Sequence, residues 1–172
     1  EDDLVSGGAG SNVLSGGLGT DTLLVSGNRT LRISASTASG AGQNSHSEFE
    51  QATLAGGPGN NRLDASAAAF PVTLLGAAGN DTLLSGSSAD RLDGGDGIDM
   101  AEITGTNIVL TDAPAPGPDG NTLVSIEGVL LTASARSSVI NASGYTLGSV
   151  MIVGSSGNDT LTGGAGNDMI MA

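Results

Sequence analysis

The sequence predicts an all-β fold, a parallel β-roll or β-helix solenoid made of nonapeptide half-coils and longer irregular coils. Three observations predict it. Glycine supplies 29 of 172 residues while aromatics amount to two Phe and one Tyr. A nine-residue pattern of glycines, an acid and an aliphatic side chain recurs along the chain. Finally, a 78-residue stretch, Gly16 to Asp93, can be laid over Gly94 to Met171.

Large aromatics supply much of the buried area in ordinary cores. With three of them, the core must come from small aliphatic contributions spread along the chain, which favours a solenoid over a sphere. The formal charge is −13, with five Lys and Arg against 18 Asp and Glu. That repulsion opposes compaction unless a cation neutralises it. No basic patch exists to displace counterions from phosphates, so nucleic acid is not an expected partner. Membrane insertion is not expected either, because no apolar run approaches the roughly 20 residues of a spanning helix. Absence of cysteine removes disulfides and thiolate metal sites from consideration.

The short repeat is clearest in Gly16-Gly17-Leu18-Gly19-Thr20-Asp21-Thr22-Leu23-Leu24, which recurs from Gly94 to Glu102 and from Gly163 to Met171. Looser copies run from Gly7, Gly56, Gly76, Ser85 and Gly154. In the long repeat Asp21 falls on Asp99, and Gly76 to Leu83 falls on Gly154 to Leu161. After small gaps Phe49-Glu50 meets Ile126-Glu127, and Leu63 to Ser66 meets Ile140 to Ser143. The expected organisation is residues 1–15 as the end of a preceding module, 16–93 as module 1 and 94–171 as module 2, a window cut from a longer array.

The array reads as three consecutive nonapeptides, such as Gly76 to Glu102, followed by about 51 residues of less regular coils in each 78-residue period. Alternation in Thr30-Leu31-Arg32-Ile33 and the runs Ile108-Val109-Leu110, Val72-Thr73-Leu74-Leu75 and Val150-Met151-Ile152-Val153 predict short strands between Gly, Ser and Pro loops. No segment has helical periodicity.

Within a nonapeptide the glycines serve a sharp turn, where positive φ is resisted by any residue with a Cβ. The acid at the sixth position follows the turn, so its carboxylate stands beside backbone carbonyls. Carboxylate and carbonyl oxygens form the ligand set of a hard cation, calcium before zinc or copper. The eighth position is aliphatic, in Leu14, Leu23, Leu63, Leu83, Leu92, Leu161 and Ile170, with Ala101 a weak copy. Those side chains are the expected core. Nine residues allow one turn and one short strand, so two nonapeptides complete a coil and repeats 18 apart share a side. Asp81 is thereby placed near Asp99, and Asp3 near Asp21. A metal-free solenoid whose aspartates cap turns through hydrogen bonds is the alternative reading of the same residues.

These residues resemble the RTX, or hemolysin-type, calcium-binding repeats of secreted bacterial proteins, with the pattern G-G-x-G-x-D-x-U-x. The phrase Asn121 to Glu127 is similar to spacers in that family. The resemblance implies a parallel β-roll, Ca2+ in the turns and secretion through a type I exporter. Carried onto this chain, it makes metal-site candidates of Asp3, Gly17, Gly19, Asp21, Gly76, Gly79, Asp81, Asp90, Gly95, Gly97, Asp99, Gly157, Asp159, Gly164, Gly166 and Asp168. Asn12 and Asn61 stand where the acid is expected, and Ser85 to Asp93 lacks three of the glycines.

Other candidates carry less. His46 is the lone histidine and is expected in an exposed loop, with no second histidine for a zinc or catalytic pair. The acid pairs Asp93/Asp96 and Glu48/Glu50 are expected to be solvated or calcium-linked charge. Ala113 to Gly120, rich in proline, is expected as an extended surface loop. No catalytic residues are expected. The expected function is a calcium-stiffened structural segment of a large secreted surface protein: an adhesin stalk, surface-layer component or filament. Head-to-tail self-assembly or cell-surface partners would suit such a segment. The C-terminal export and folding tail of a secreted protease or lipase is the alternative.

Overall fold

A computed structural model describes residues 1–112 and 120–172. The expected loop from Ala113 falls outside these residues except for Gly120. The described residues form nineteen strands, β1 to β19 in chain order, and no helix that could cross a membrane.

Three sheets wind around one core. The six-stranded sheet runs β1 (Leu4–Val5), β3 (Thr22–Ser26), β7 (Gln51–Ala55), β9 (Val72–Ala78), β11 (Arg91–Asp96), β14 (Thr122–Val124). The ten-stranded sheet begins at β19 (Met169–Met171), β17 (Ser149–Val153), β15 (Gly128–Ala133), β12 (Met100–Gly105) and β10 (Thr82–Leu84). It continues through β8 (Arg62–Ala67), β4 (Thr30–Ser34), β5 (Thr37–Ser39), β6 (Gln43–Ser47) and β2 (Val13–Ser15). The third sheet is β13 (Asn107–Thr111), β16 (Val139–Gly144), β18 (Thr160–Thr162). All pairings are parallel except those of β5 with β4 and β6. The four strands expected from sequence are β4, β13, β9 and β17.

The coil length of two nonapeptides is visible in the register. Leu4 pairs with Thr22, Thr73 with Arg91, Thr82 with Met100 and Met151 with Met169, each 18 residues apart. Inward side chains then stack in columns, since a parallel in-register ladder places like positions over one another. One column is Leu31, Leu63, Leu83, Ala101, Val129, Val150. Another is Leu54, Leu74, Leu92, Leu123. Each fully buried leucine contributes about 1.5–3 kcal/mol. Of the expected core positions, Leu23, Leu63, Leu83, Leu92 and Ala101 are fully buried. Leu14 and Leu161 are partly covered, and Ile170 is exposed because β19 has only one neighbour.

His46 corrects the sequence expectation. It lies on β6, not in a loop, and is 6% exposed. Its ring sits edge-on to Phe49 and Phe70, at 5.9 and 6.0 Å between centroids, with Nε2 3.1 Å from the Ser34 carbonyl. Burial holds its pKa below the usual value, against the pull of the Ser34 and Thr37 backbone. The polar run Gln43 to Ser47 hid this inward position, because β6 pairs with β2 and β5 in a hairpin excursion.

The repeat has a geometric consequence. β3, β7, β9 and β11 belong to the six-stranded sheet, but the strands about 78 residues on, β12, β15, β17 and β19, belong to the ten-stranded one. Likewise β4, β8 and β10 correspond to β13, β16 and β18 of the third sheet. A module thus contains an odd number of half-coils, and equivalent turns fall on opposite edges of the stack.

Candidate metal centre

The turns before β3 and β12 are built from Gly16 to Asp21 and Gly94 to Asp99. Gly95 and Gly97 have φ of 94° and 146°, values that an L side chain resists. Gly17, Gly19, Gly79 and Gly157 are also left-handed. Stacking leaves no room above Gly95 and Gly97: a Cβ on Gly97 would come within 3.0 Å of the Gly79 carbonyl, and one on Gly95 within 3.0 Å of the Ala77 carbonyl, whereas the space beside Gly17 is open. Gly164 and Gly166 lie equally close to the Tyr145 and Gly148 carbonyls. Backbone therefore packs on backbone along the turn edge.

The acids form ladders between coils. The N–H of Asp3 donates to Asp21 Oδ1 at 2.7 Å, and that of Asp81 donates to Asp99 Oδ1 at 2.7 Å. Asn61 N–H donates to Asp81 Oδ1, and Val72 N–H to Asp90 Oδ1. The second module repeats both, with Ser138 N–H to Asp159 Oδ1 and Val150 N–H to Asp168 Oδ1. The acid is thus a bridge to the preceding coil as well as a turn residue.

The remaining carboxylate oxygens divide the acids into two kinds. Asp90 and Asp159 use their second oxygen on the N–H of Gly86 and of Ser155. Those turns are closed by hydrogen bonds. Asp159 is accordingly held below the ordinary carboxylate range by the Ser138 and Ser155 N–H groups, whereas burial pushes Asp90 up despite its two donors. By contrast Asp21, Asp81 and Asp99 are at most 2% exposed, and Oδ2 of each is buried with no hydrogen-bond partner. Burial, then the charges of Asp81, Glu127 and Asp93, raise the Asp99 carboxyl.

Each orphaned oxygen lies against a glycine Cα and a neighbouring carbonyl. A Cβ on Gly76 would come within 3.0 Å of both Asp81 Oδ2 and Gly94 O. A Cβ on Gly94 would meet Asp99 Oδ2 and Ser125 O, and one on Gly16 would meet Asp21 Oδ2 and Glu48 O. A buried, unpaired carboxylate oxygen beside a carbonyl oxygen costs several kcal/mol unless a cation or proton joins them. The Asn turns differ at the atom that faces the turn: Asn12 Nδ2 donates to Gly7 O at 2.6 Å, and Asn61 Nδ2 donates to Gly57 O at 3.1 Å and to Gly59 O, although Asn61 Oδ1 is buried without a partner. An amide closes its own turn; a carboxylate has no proton to offer. Among the described residues no three His, Cys, Asp or Glu side chains gather at one point. The donors are one or two carboxylates with backbone carbonyls, which fits calcium's oxygen shell and flexible geometry. Asp21, Asp81 and Asp99 with the flanking turn carbonyls would hold it. Bound there, the ion would neutralise the column of carboxylates and tie successive coils.

Sequence reasoning named neither glutamate as a site residue: Glu50 was expected to be solvated or calcium-linked charge, and Glu127 entered only as its counterpart in the second module. In the structure the Asp21 N–H donates to Glu50 Oε2 and the Asp99 N–H to Glu127 Oε2, both at 2.8 Å. The signal was their mutual alignment between modules, since neither stands in a nonapeptide.

The family model for the RTX calcium-binding nonapeptide repeat matches residues 1–25, 73–101 and 151–172, in four copies. No curated protein matches the chain. The matched segments hold the turns of Asp21, Asp81, Asp99, Asp159 and Asp168. The chain therefore carries RTX calcium-binding nonapeptide repeats, with Ca2+ as their cation, set between longer coils of the same solenoid.

Proposed function

We propose that this calcium-binding repeat region is a structural segment of a large secreted bacterial surface protein, such as an adhesin stalk, surface layer or filament, and not an enzyme. The observation that carries the reading is the duplication of the acid ladders. Asp3, Asp21 and Glu50 are linked by the same N–H to carboxylate bonds as Asp81, Asp99 and Glu127, on the opposite edge. Repetition of this kind extends length at constant cross-section, since each coil contacts only its neighbours. Calcium supplies what the small core lacks, coupling folding to extracellular ion concentration. Where a stack of such coils is left uncapped, its open strand edges would let copies meet head to tail or engage a cell-surface partner.

Small-angle scattering tests this. A tandem of two copies of residues 16–171 in calcium should show the cross-section of one copy and about twice its length. A compact particle whose cross-section grows would refute the stalk reading and leave the export and folding tail of a secreted enzyme as the better account.

A further inference from the structure

We propose that Glu50 and Glu127, which lie outside the nonapeptides, are calcium ligands that complete a junction site with Asp21 and Asp99 where each nonapeptide block meets an irregular coil. The inference rests on the calcium reading above and adds ligands that the repeat pattern does not contain. Both glutamates also lie outside the residues matched by the RTX repeat.

Three observations converge. First, each glutamate takes the place in the ladder that the next aspartate would occupy. Asp99 Oδ1 accepts the Asp81 N–H at 2.7 Å, and one coil further Glu127 Oε2 accepts the Asp99 N–H at 2.8 Å. Second, the aspartate below each glutamate keeps Oδ2 buried and unpartnered, with Asp21 and Asp99 at 0% and 1% exposure. Third, the residue two before each glutamate is left-handed: Glu48 at φ 61° and Ser125 at φ 49°. Non-glycine residues adopt that conformation at a cost, and here it brings the carbonyls of Glu48 and Ser125 to the same glycine Cα as the orphaned oxygen. A strained residue, a buried orphan oxygen and a carboxylate thus recur together in both modules. The glutamates themselves are exposed, which leaves the site open to solvent on one side.

A cap without a metal role predicts the same hydrogen bond, so the test must separate charge from hydrogen bonding. Glu50→Gln and Glu127→Gln keep the acceptor for the aspartate N–H and remove the charge. Calcium bound per chain is measured by flow dialysis, with far-UV circular dichroism in saturating calcium as the check on folding. The expected result is a spectrum like that of the parent and at least tenfold weaker binding at one ion per single variant, two in the double variant. Unchanged stoichiometry and affinity in both variants would overturn the proposal and leave the glutamates as caps, while the aspartate sites stand. Absence of calcium binding in the parent chain would instead sink the calcium reading, and this proposal with it. Should a Gln variant lose β structure, Glu→Asp supplies the control: restored folding with restored calcium stoichiometry supports ligation, and restored folding without it refutes it.

Discussion

Asp99→Asn should act with opposite signs in the absence and presence of calcium. The amide keeps Oδ1 for the Asp81 N–H, and its Nδ2 replaces an orphaned Oδ2 beside the Ser125 carbonyl. It would then close the turn as Asn61 closes its own on the Gly57 carbonyl. Leaving a buried polar atom unpaired costs about 1–3 kcal/mol, so the variant should be more stable than the parent by about that much in EGTA. In calcium the substitution removes a charged ligand. A site at a free concentration 100 times its Kd adds about 2.7 kcal/mol, and tenfold weaker binding cuts that to about 1.4 kcal/mol. Urea denaturation followed by far-UV circular dichroism, with and without calcium, measures both. The calcium increment should shrink while the calcium-free midpoint rises. A variant less stable than the parent in EGTA, or one with the full calcium increment, refutes the assignment of Asp99 Oδ2 to a cation.

Other perturbations separate the core, the ion pair and the buried histidine. Leu83→Ala, at a fully buried site in the longest core column, should cost about 2–5 kcal/mol in calcium; a loss below 1 kcal/mol would mean that the column is not a close-packed core. Arg32 meets Asp64 Oδ2 at 2.7 Å through Nη2 and 3.0 Å through Nε, and burial of Asp64 is outweighed by Ser66 and Arg32, which hold its carboxyl below the usual range. Arg32→Met should therefore destabilise by about 1–2 kcal/mol above pH 5, less than a fully buried pair because Arg32 is largely exposed, and the deficit should narrow as pH falls through the Asp64 titration. For His46 the folded pKa lies below 6.5, so stability is complete above 6.5 and declines as pH falls through 6.5 to the folded value. His46→Leu should abolish that decline in thermal melts, and an unchanged pH profile would show that another group carries it.

The resemblance and the arithmetic of the sequence determined most of the scaffold. A nine-residue spacing with an aliphatic eighth position suffices to place Leu23, Leu63, Leu83 and Leu92 inside and to set the coil at 18 residues, because a parallel ladder repeats whatever each half-coil presents. It also named the acids of the turns. Only the tertiary structure could divide those acids, since Asp90 and Asp159 have both oxygens on N–H donors while Asp21, Asp81 and Asp99 keep one unpaired. That division depends on which backbone groups of a neighbouring coil face the turn, a relation across 18 or more residues that local pattern does not express.

The tertiary structure alone also decided the irregular coils. His46 looked like a loop residue within a polar segment, yet pairing of β6 with β2 and β5 turns its ring inward against Phe49 and Phe70. Glu50 and Glu127 stand outside every nonapeptide and were not among the expected site residues, yet stacking puts their carboxylates on the amides of Asp21 and Asp99. Period determines which residues can stand above one another. Which oxygen meets which proton is decided only when the coils are closed, because that depends on the direction of each turn and on what the next coil places over it.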